Sequence, residues 1–230
     1  MLLNTWYSRI AAFDLETTGL DLNESRIVTA CVAELGEAGQ LMAPPREWLV
    51  NPGVPIPPAA TAVHGITNEV AQSAGLPPQQ AIAEIVQTLD GYQRQGIPVA
   101  IFNAPYDLTI LGAECDRYEL AQPIADLIVD PLVIDRKFMQ YRRGKRTLTV
   151  LAEAYGIELQ NAHNSTSDAI AAGQLAQIQA AQFLPSEITV VDLHSQQKTW
   201  SDEQTASLEE FVRKANPAFV ASYGWPVKLS

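Results

Sequence analysis

Three apolar, β-branched runs crowd the first 51 residues: 9–13 (RIAAF), 26–35 (RIVTACVAEL) and 48–51 (WLVN). Each has the composition of a buried strand. Between them lie Thr17-Thr18-Gly19 and Pro44-Pro45, which turn the chain. Those gaps leave little room for a helical crossover, so the three strands are expected to pair as an antiparallel meander.

The pattern then changes period. After a Pro-rich loop at 52–61, Pro77-Pro78 opens a helix with Ala81, Ile82, Ile85, Val86 and Leu89 on one face. A buried strand is expected over 97–102 (IPVAIF), a helix from Tyr106, and another buried strand over 127–134 (LIVDPLVI). In the last of these, Pro131 argues for an edge or a strand end. Helices over 147–155 and 168–183 complete the core. A meander followed by β-α-β units implies an α/β fold with a mixed sheet flanked by helices.

The chain is expected to divide into a domain over 1–184 and a helical extension over 185–230. In the extension, Ser201-x-x-Gln204 resembles a capping box. Leu208, Phe211, Val212 and Ala215 form an apolar stripe there, suited to packing on the domain or on a partner. The two cysteines, Cys31 and Cys115, stand in no metal-type spacing and suit a reduced, cytoplasmic protein. No apolar run is long enough for a membrane span.

The chemistry begins where the first strand ends. In Asp14-Leu15-Glu16 the two carboxylates point the same way, because residues i and i+2 share a face of an extended segment. Such close like charges need a cation or a proton, and a hard divalent metal with oxygen ligands is one solution; a solvated turn is the plain alternative. Asp107 follows the 97–102 strand by a short loop, so it belongs at the same sheet end, early in a helix. Asp168 opens a later helix, and His163 precedes it on the polar loop AHNSTSD. Taken singly, helix-start electrostatics and capping account for each of these acids. Together they bring four acids and one imidazole to one sheet end, which suits two-metal hydrolysis of a phosphodiester.

The segments FDLETTGL, VHGIT, FNAPYD and HNSTSDA resemble the three motifs of the DEDDh 3′–5′ exonucleases, over residues 9 to 182. That family includes the proofreading epsilon subunit of bacterial DNA polymerase III. The resemblance implies a ribonuclease H-like fold and two divalent ions, Mg²⁺ or Mn²⁺. It implies that Asp14, Glu16 and Asp168 hold the first ion, that Asp14 bridges to the second, and that Asp107 reaches the second through water. His163 becomes the general base. By the same resemblance Thr17 meets the terminal sugar and Leu20 wedges near the last base. His64 lies beside the terminal nucleotide, and Asn103 hydrogen-bonds near the site. Phe102 stands where many relatives carry histidine.

The chain has 15 basic and 26 acidic residues, a net charge of −11 that argues against a non-specific nucleic-acid coat. Yet Arg136, Lys137, Arg142, Arg143, Lys145 and Arg146 fall within eleven residues without an acid. Without that run, 9 basic and 26 acidic residues give −17. The run is either a solvated loop or a border of the cleft, with Arg142 and Arg143 as phosphate contacts. The expected activity is a metal-dependent 3′–5′ exonuclease acting on nucleic-acid 3′ ends, DNA ahead of RNA, with a DNA polymerase as a conceivable partner. The alternatives are a ribonuclease of the ribonuclease T or oligoribonuclease kind, and a non-catalytic polymerase-associated binding module.

Overall fold

The computed structural model describes residues 5–159 and 163–228. The meander forms as expected: β1 (Ile10–Thr17), β2 (Ile27–Leu35) and β3 (Arg46–Leu49) pair antiparallel in sequence order. Two short helices follow: α1 (Pro58–His64), which begins within the Pro-rich stretch, and α2 (Asn68–Ala74) beyond it. Gly65 ends α1 with φ 78°, a left-handed cap that glycine adopts without strain. Thr67 then caps α2, its hydroxyl accepting from Val70 N. In α3 (Pro78–Arg94) every residue of the expected stripe is buried.

β4 (Val99–Ala100) and β5 (Ile128–Val129) add parallel strands on the other side of β1, giving the order β3-β2-β1-β4-β5. This is the five-stranded mixed sheet flanked by helices that the sequence implied. Between β4 and β5 runs α4 (Ala104–Arg117). Both parallel strands are shorter than the apolar runs that contain them. The 127–134 run is not one strand: after Val129 the chain enters α5 (Pro131–Phe138). Pro131 starts this helix, and the Asp130 carboxylate caps it by accepting from Leu132 N. A short buried strand running straight into a buried helix has no period of its own to mark the junction.

α6 (Leu148–Ala154) is capped by Thr147, and α7 (Ser165–Phe183) by Asn164, whose side chain accepts from Thr166 N and Ser167 N. α7 therefore begins three residues before the expected start at Asp168. It lies close on the sheet because Gly173 has no side chain. A Cβ there would sit 2.5 Å from Leu35 Cδ1 and 2.9 Å from Ala12 Cβ.

The last helix corrects two expectations. α8 (Val190–Arg213) starts at the Thr189 cap, so Ser201 and Gln204 lie inside it and form no cap. Its inward side chains are Leu193, Gln197 and Trp200, spaced i, i+4, i+7. The stripe read from Leu208 and Phe211 faces outward, with those side chains 53% and 70% exposed. The inward face was hidden from a hydrophobicity reading because part of it is polar. His194 Nδ1 accepts from Ile128 N, Gln197 Nε2 donates to Ile128 O, and Gln197 Oε1 accepts from Asp130 N. These side chains satisfy the outer backbone edge of β5 as a sixth strand would. No helix among the described residues is long and apolar enough to cross a membrane.

Candidate active site

Ala12 faces α7, as the Gly173 contact shows, so by strand alternation Asp14 and Glu16 face the same way. β4 pairs with β1 only at Ala11 and Ala12. Beyond that point the Leu15 N–H has no strand partner on its β4 side. Asp107, on the first turn of α4, fills the gap: its Oδ1 accepts from Leu15 N at 3.1 Å. A buried carboxylate is thereby pinned to the backbone between Asp14 and Glu16. From the other side, α7 delivers Asp168 one turn after its cap.

The ligand atoms of Glu16, His163 and Asp168 lie within 4.8 Å of one another. The Asp168 Oδ2 accepts from the His163 backbone N at 3.1 Å, while its Oδ1 is buried with no partner among the described residues. His163 itself is exposed and holds a left-handed backbone with φ 68°. Asn103, at the turn into α4, is left-handed too, with φ 63°. Non-glycine residues in this region are strained, and such strain concentrates at functional sites.

The acids perturb one another strongly. Asp14 is held well above the usual carboxylate range, first by burial and then by the charges of Asp107, Asp168 and Glu16. Asp107 is also raised well above it, chiefly by burial, against the opposing Leu15 N–H. Glu16 is pushed up to about 8 by burial and then by Asp168. Asp168 is raised by burial although the His163 backbone N–H and ring oppose the shift. Burial raises all four carboxylates, and neighbouring acids add to the shift at Asp14, Glu16 and Asp107, so the cluster calls for a counter-charge. Hard oxygen donors, an imidazole and an orphaned buried carboxylate oxygen together fit a divalent metal.

Of the expected substrate contacts, Thr17 ends β1 just after Glu16, His64 lies against it, and Asn103 precedes the helix that carries Asp107. The Thr17 hydroxyl is occupied by the turn it starts, donating to Gly19 O at 2.7 Å and sharing a 2.7 Å bond with the Tyr106 hydroxyl. With the Thr17 proton on Gly19 O, the Tyr106 hydroxyl donates to Thr17 Oγ1 while lying 2.8 Å from the same carbonyl, so the turn is clamped from α4, and Leu20 just beyond it is 85% exposed. The half-buried His64 lies beside the Thr17 backbone, and its Nδ1 accepts from Ile66 N. Burial lowers its pKa, so the ring favours the neutral form. The exposed Asn103 presents its side chain at the same sheet end. Arg142 is placed differently from the expectation. Its guanidinium pairs with the fully buried Asp135 at 3.0 Å, which turns it inward; Arg143 is exposed.

Two residues of the site were missed in the sequence. Tyr106 is one. The other is Asp130, whose buried carboxylate accepts from Asn103 N, Ala104 N, Leu132 N and Trp225 Nε1. It fixes the start of the helix that carries Asp107. The signal was available in Asp130-Pro131, a helix cap followed by a first-turn proline.

A family model described as Exonuclease (RNase_T) matches residues 11–176, which contain all five signature residues. The chain belongs to this exonuclease family. The DEDDh assignment fits it. The DNA polymerase III subunit epsilon of Treponema pallidum is 28% identical over 159 residues, 69% of this chain and 70% of the relative. The PolC-type DNA polymerase III of Streptococcus pneumoniae (serotype 2, strain D39) is 27% identical over 164 residues, 71% of this chain. This chain spans a tenth of that polymerase's length. Among solved structures, Escherichia coli exonuclease I bound to a dT13 oligonucleotide superposes with a TM-score of 0.61 at 20% identity, covering 75% of this chain and 41% of the other. Exonuclease X bound to 5′-overhanging duplex DNA gives 0.56 at 20% identity, covering 79% and 97%. At these identities the structures attest the fold.

Proposed function

We propose that the protein is a metal-dependent 3′–5′ exonuclease that removes nucleoside 5′-monophosphates from single-stranded or frayed 3′ ends, DNA ahead of RNA. The observation that carries this reading is the convergence of Asp14, Glu16, Asp107 and Asp168 on one another beside the exposed His163. Asp14, Glu16 and Asp168 would hold one Mg²⁺ or Mn²⁺ ion, and Asp14 and Asp107 a second. When bound, the ions supply Lewis-acid neutralisation of the phosphodiester.

The chain's own residues do the rest. His163 takes a proton from the attacking water. Water oxygen bonds to phosphorus, the bond to the 3′ oxygen of the penultimate nucleotide breaks, and that oxygen takes a proton from solvent to become the new 3′ hydroxyl. The products are a nucleoside 5′-monophosphate and a strand one residue shorter. Leu20, His64 and Asn103 frame the terminal nucleotide. The bonds from His194, Gln197 and Trp225 support reading residues 185–228 as a completion of the same domain. The DNA polymerase III relatives and the oligonucleotide bound to exonuclease I support DNA as substrate.

The test is a 5′-labelled oligonucleotide, as DNA and as matched RNA, incubated with Mg²⁺ or Mn²⁺. Stepwise shortening from the 3′ end that Asp14→Ala abolishes is the expected result. No shortening with either metal would leave a binding module, and shortening of RNA alone would make the enzyme a ribonuclease.

A further inference from the structure

The basic run separates into two sets with opposite roles. Asp135, on α5, has no solvent exposure, and a buried carboxylate without partners is costly. Both Arg142 and Arg146 pair with it, and Tyr155 Oη donates to it at 3.1 Å. Arg142 also lies over the Tyr155 ring, 5.3 Å from its centroid. Arg146 closes the loop from within by donating to the carbonyls of Met139 and Gln140, at 2.8 and 3.3 Å. Lys137 is engaged as well, with Glu203 at 3.0 Å and the Trp200 ring.

These inward bonds fix the loop 139–147 and so fix what it presents outward. Its exposed side chains include Tyr141, Arg143 and Lys145, with Gly144 turning at φ 90°. Tyr141 is 89% exposed, an unusual state for a large aromatic side chain. Arg143 and Lys145 are exposed, and no carboxylate among the described residues pairs with either. The loop then leads into α6, where Leu148 packs on the cluster containing Ala171 and Leu175. Ala171 lies three residues beyond Asp168 on α7, about 4.5 Å along the axis. The platform thus ends on the flank of the helix that carries the metal-site acid.

We infer that Tyr141, Arg143 and Lys145 form a preorganised platform for the single-stranded nucleic acid upstream of the 3′ terminus, Tyr141 stacking on a base while Arg143 and Lys145 meet phosphates. This rests on the exonuclease reading and extends it along the strand. A rigid loop suits the role, because little conformational freedom is lost when the strand lands. An aromatic face beside cations binds strands with little regard to sequence, since every base can stack. The remaining acidic surface repels phosphate, so a local basic track is where an anionic polymer can lie.

The test is fluorescence anisotropy with a 5′-fluorescein 16-mer and a trinucleotide, in Ca²⁺, across a salt series, with shortening in Mn²⁺ followed in parallel. For Arg143→Gln/Lys145→Gln, the slope of log affinity against log salt should fall by about 1.4, from two lost single-strand phosphate contacts. Tyr141→Ala should weaken 16-mer binding about ten-fold relative to the trinucleotide, while Tyr141→Phe keeps it. An unchanged slope and unchanged length dependence in variants that melt like the wild type would overturn the platform, even with shortening intact. Equal competition by polyglutamate of matched charge would also overturn it, pointing to an acidic protein partner. A wild type that binds with the expected slope but shortens nothing would support the platform and refute the exonuclease reading.

Discussion

Glu16→Gln should make the metal-free protein more stable at alkaline pH, although it removes a residue placed at the site. In the fold the Glu16 pKa rises from 4.5 to about 8, because the carboxylate is part-buried and faces Asp168. A carboxylate raised on folding leaves stability intact below its unfolded value and withdraws it as pH climbs through the folded one. The full shift corresponds to roughly 5 kcal/mol, and the solvent contact that Glu16 retains reduces this to about 2–3 kcal/mol. Urea unfolding in EDTA, from pH 4.5 to 9, reads the effect directly. The difference between wild type and Glu16→Gln reads this group together with the charge it exerts on Asp14 and Asp107. The wild type should fall relative to the variant between pH 5 and 8 and level off above that. Saturating Mn²⁺ should then restore the wild type by about 2.7 kcal/mol at a hundred-fold excess over its Kd, and the variant by less. Parallel pH profiles would refute the reasoning, since Glu16 would then ionise freely beside Asp168. Equal rescue by Mn²⁺ would remove Glu16 from the metal site.

Other perturbations test separate parts of the argument. His163→Ala should lower the rate of oligonucleotide shortening about 10²- to 10⁴-fold, the usual share of a general base, with little change in melting temperature because the ring is exposed. Trp225→Phe keeps the ring packing but removes the 3.2 Å bond to Asp130, and should cost about 1–2 kcal/mol in urea unfolding. Gly173→Ala forces a methyl group against Leu35 and Ala12, and should cost about 1–3 kcal/mol with a measurable drop in melting temperature. Replacing Arg142 and Arg146 together by Gln strands the buried Asp135 and should cost about 3–5 kcal/mol, more than most surface substitutions.

What the sequence disclosed followed physical lines. The meander was legible because its strands alternate with turn residues and carry β-branched side chains. The α3 stripe was legible because one helical face is purely apolar. The carboxylates were legible because each stands just after an apolar run or at a helix start, so topology alone sends them to one sheet end. The 127–134 run misled because Ile128, Val129, Leu132, Val133 and Ile134 are all buried whether the backbone is extended or helical. α8 misled for the opposite reason. Gln197 is fully buried, because its amide serves a strand edge that no local sequence window reveals. The basic run is visible as charge, but which cations turn inward depends on Asp135, buried on α5 one residue past the apolar run.

The family match ends at residue 176, yet the support of the acidic cluster does not. Asp107 reaches Leu15 N only if α4 starts where it does. That start is held by the Asp130 carboxylate on Asn103 N and Ala104 N. Asp130 is in turn held from outside the matched region, by Gln197 on its backbone N–H and by Trp225 on its carboxylate. Lys228 N adds a bond to Thr109 Oγ1 on α4 itself. β5 is only two residues long, and an edge strand that short has few ladder bonds of its own to hold its end in place. The residues after α7 therefore do for β5 and α4 what a longer strand would otherwise do. A truncation after residue 184 should unsettle Asp107 before it unsettles Asp14 or Glu16, which the β1–β2 ladder holds independently. Weakened cooperativity between two metal-binding steps, with the first step nearly intact, is the signature expected in a Mn²⁺ titration of that truncation.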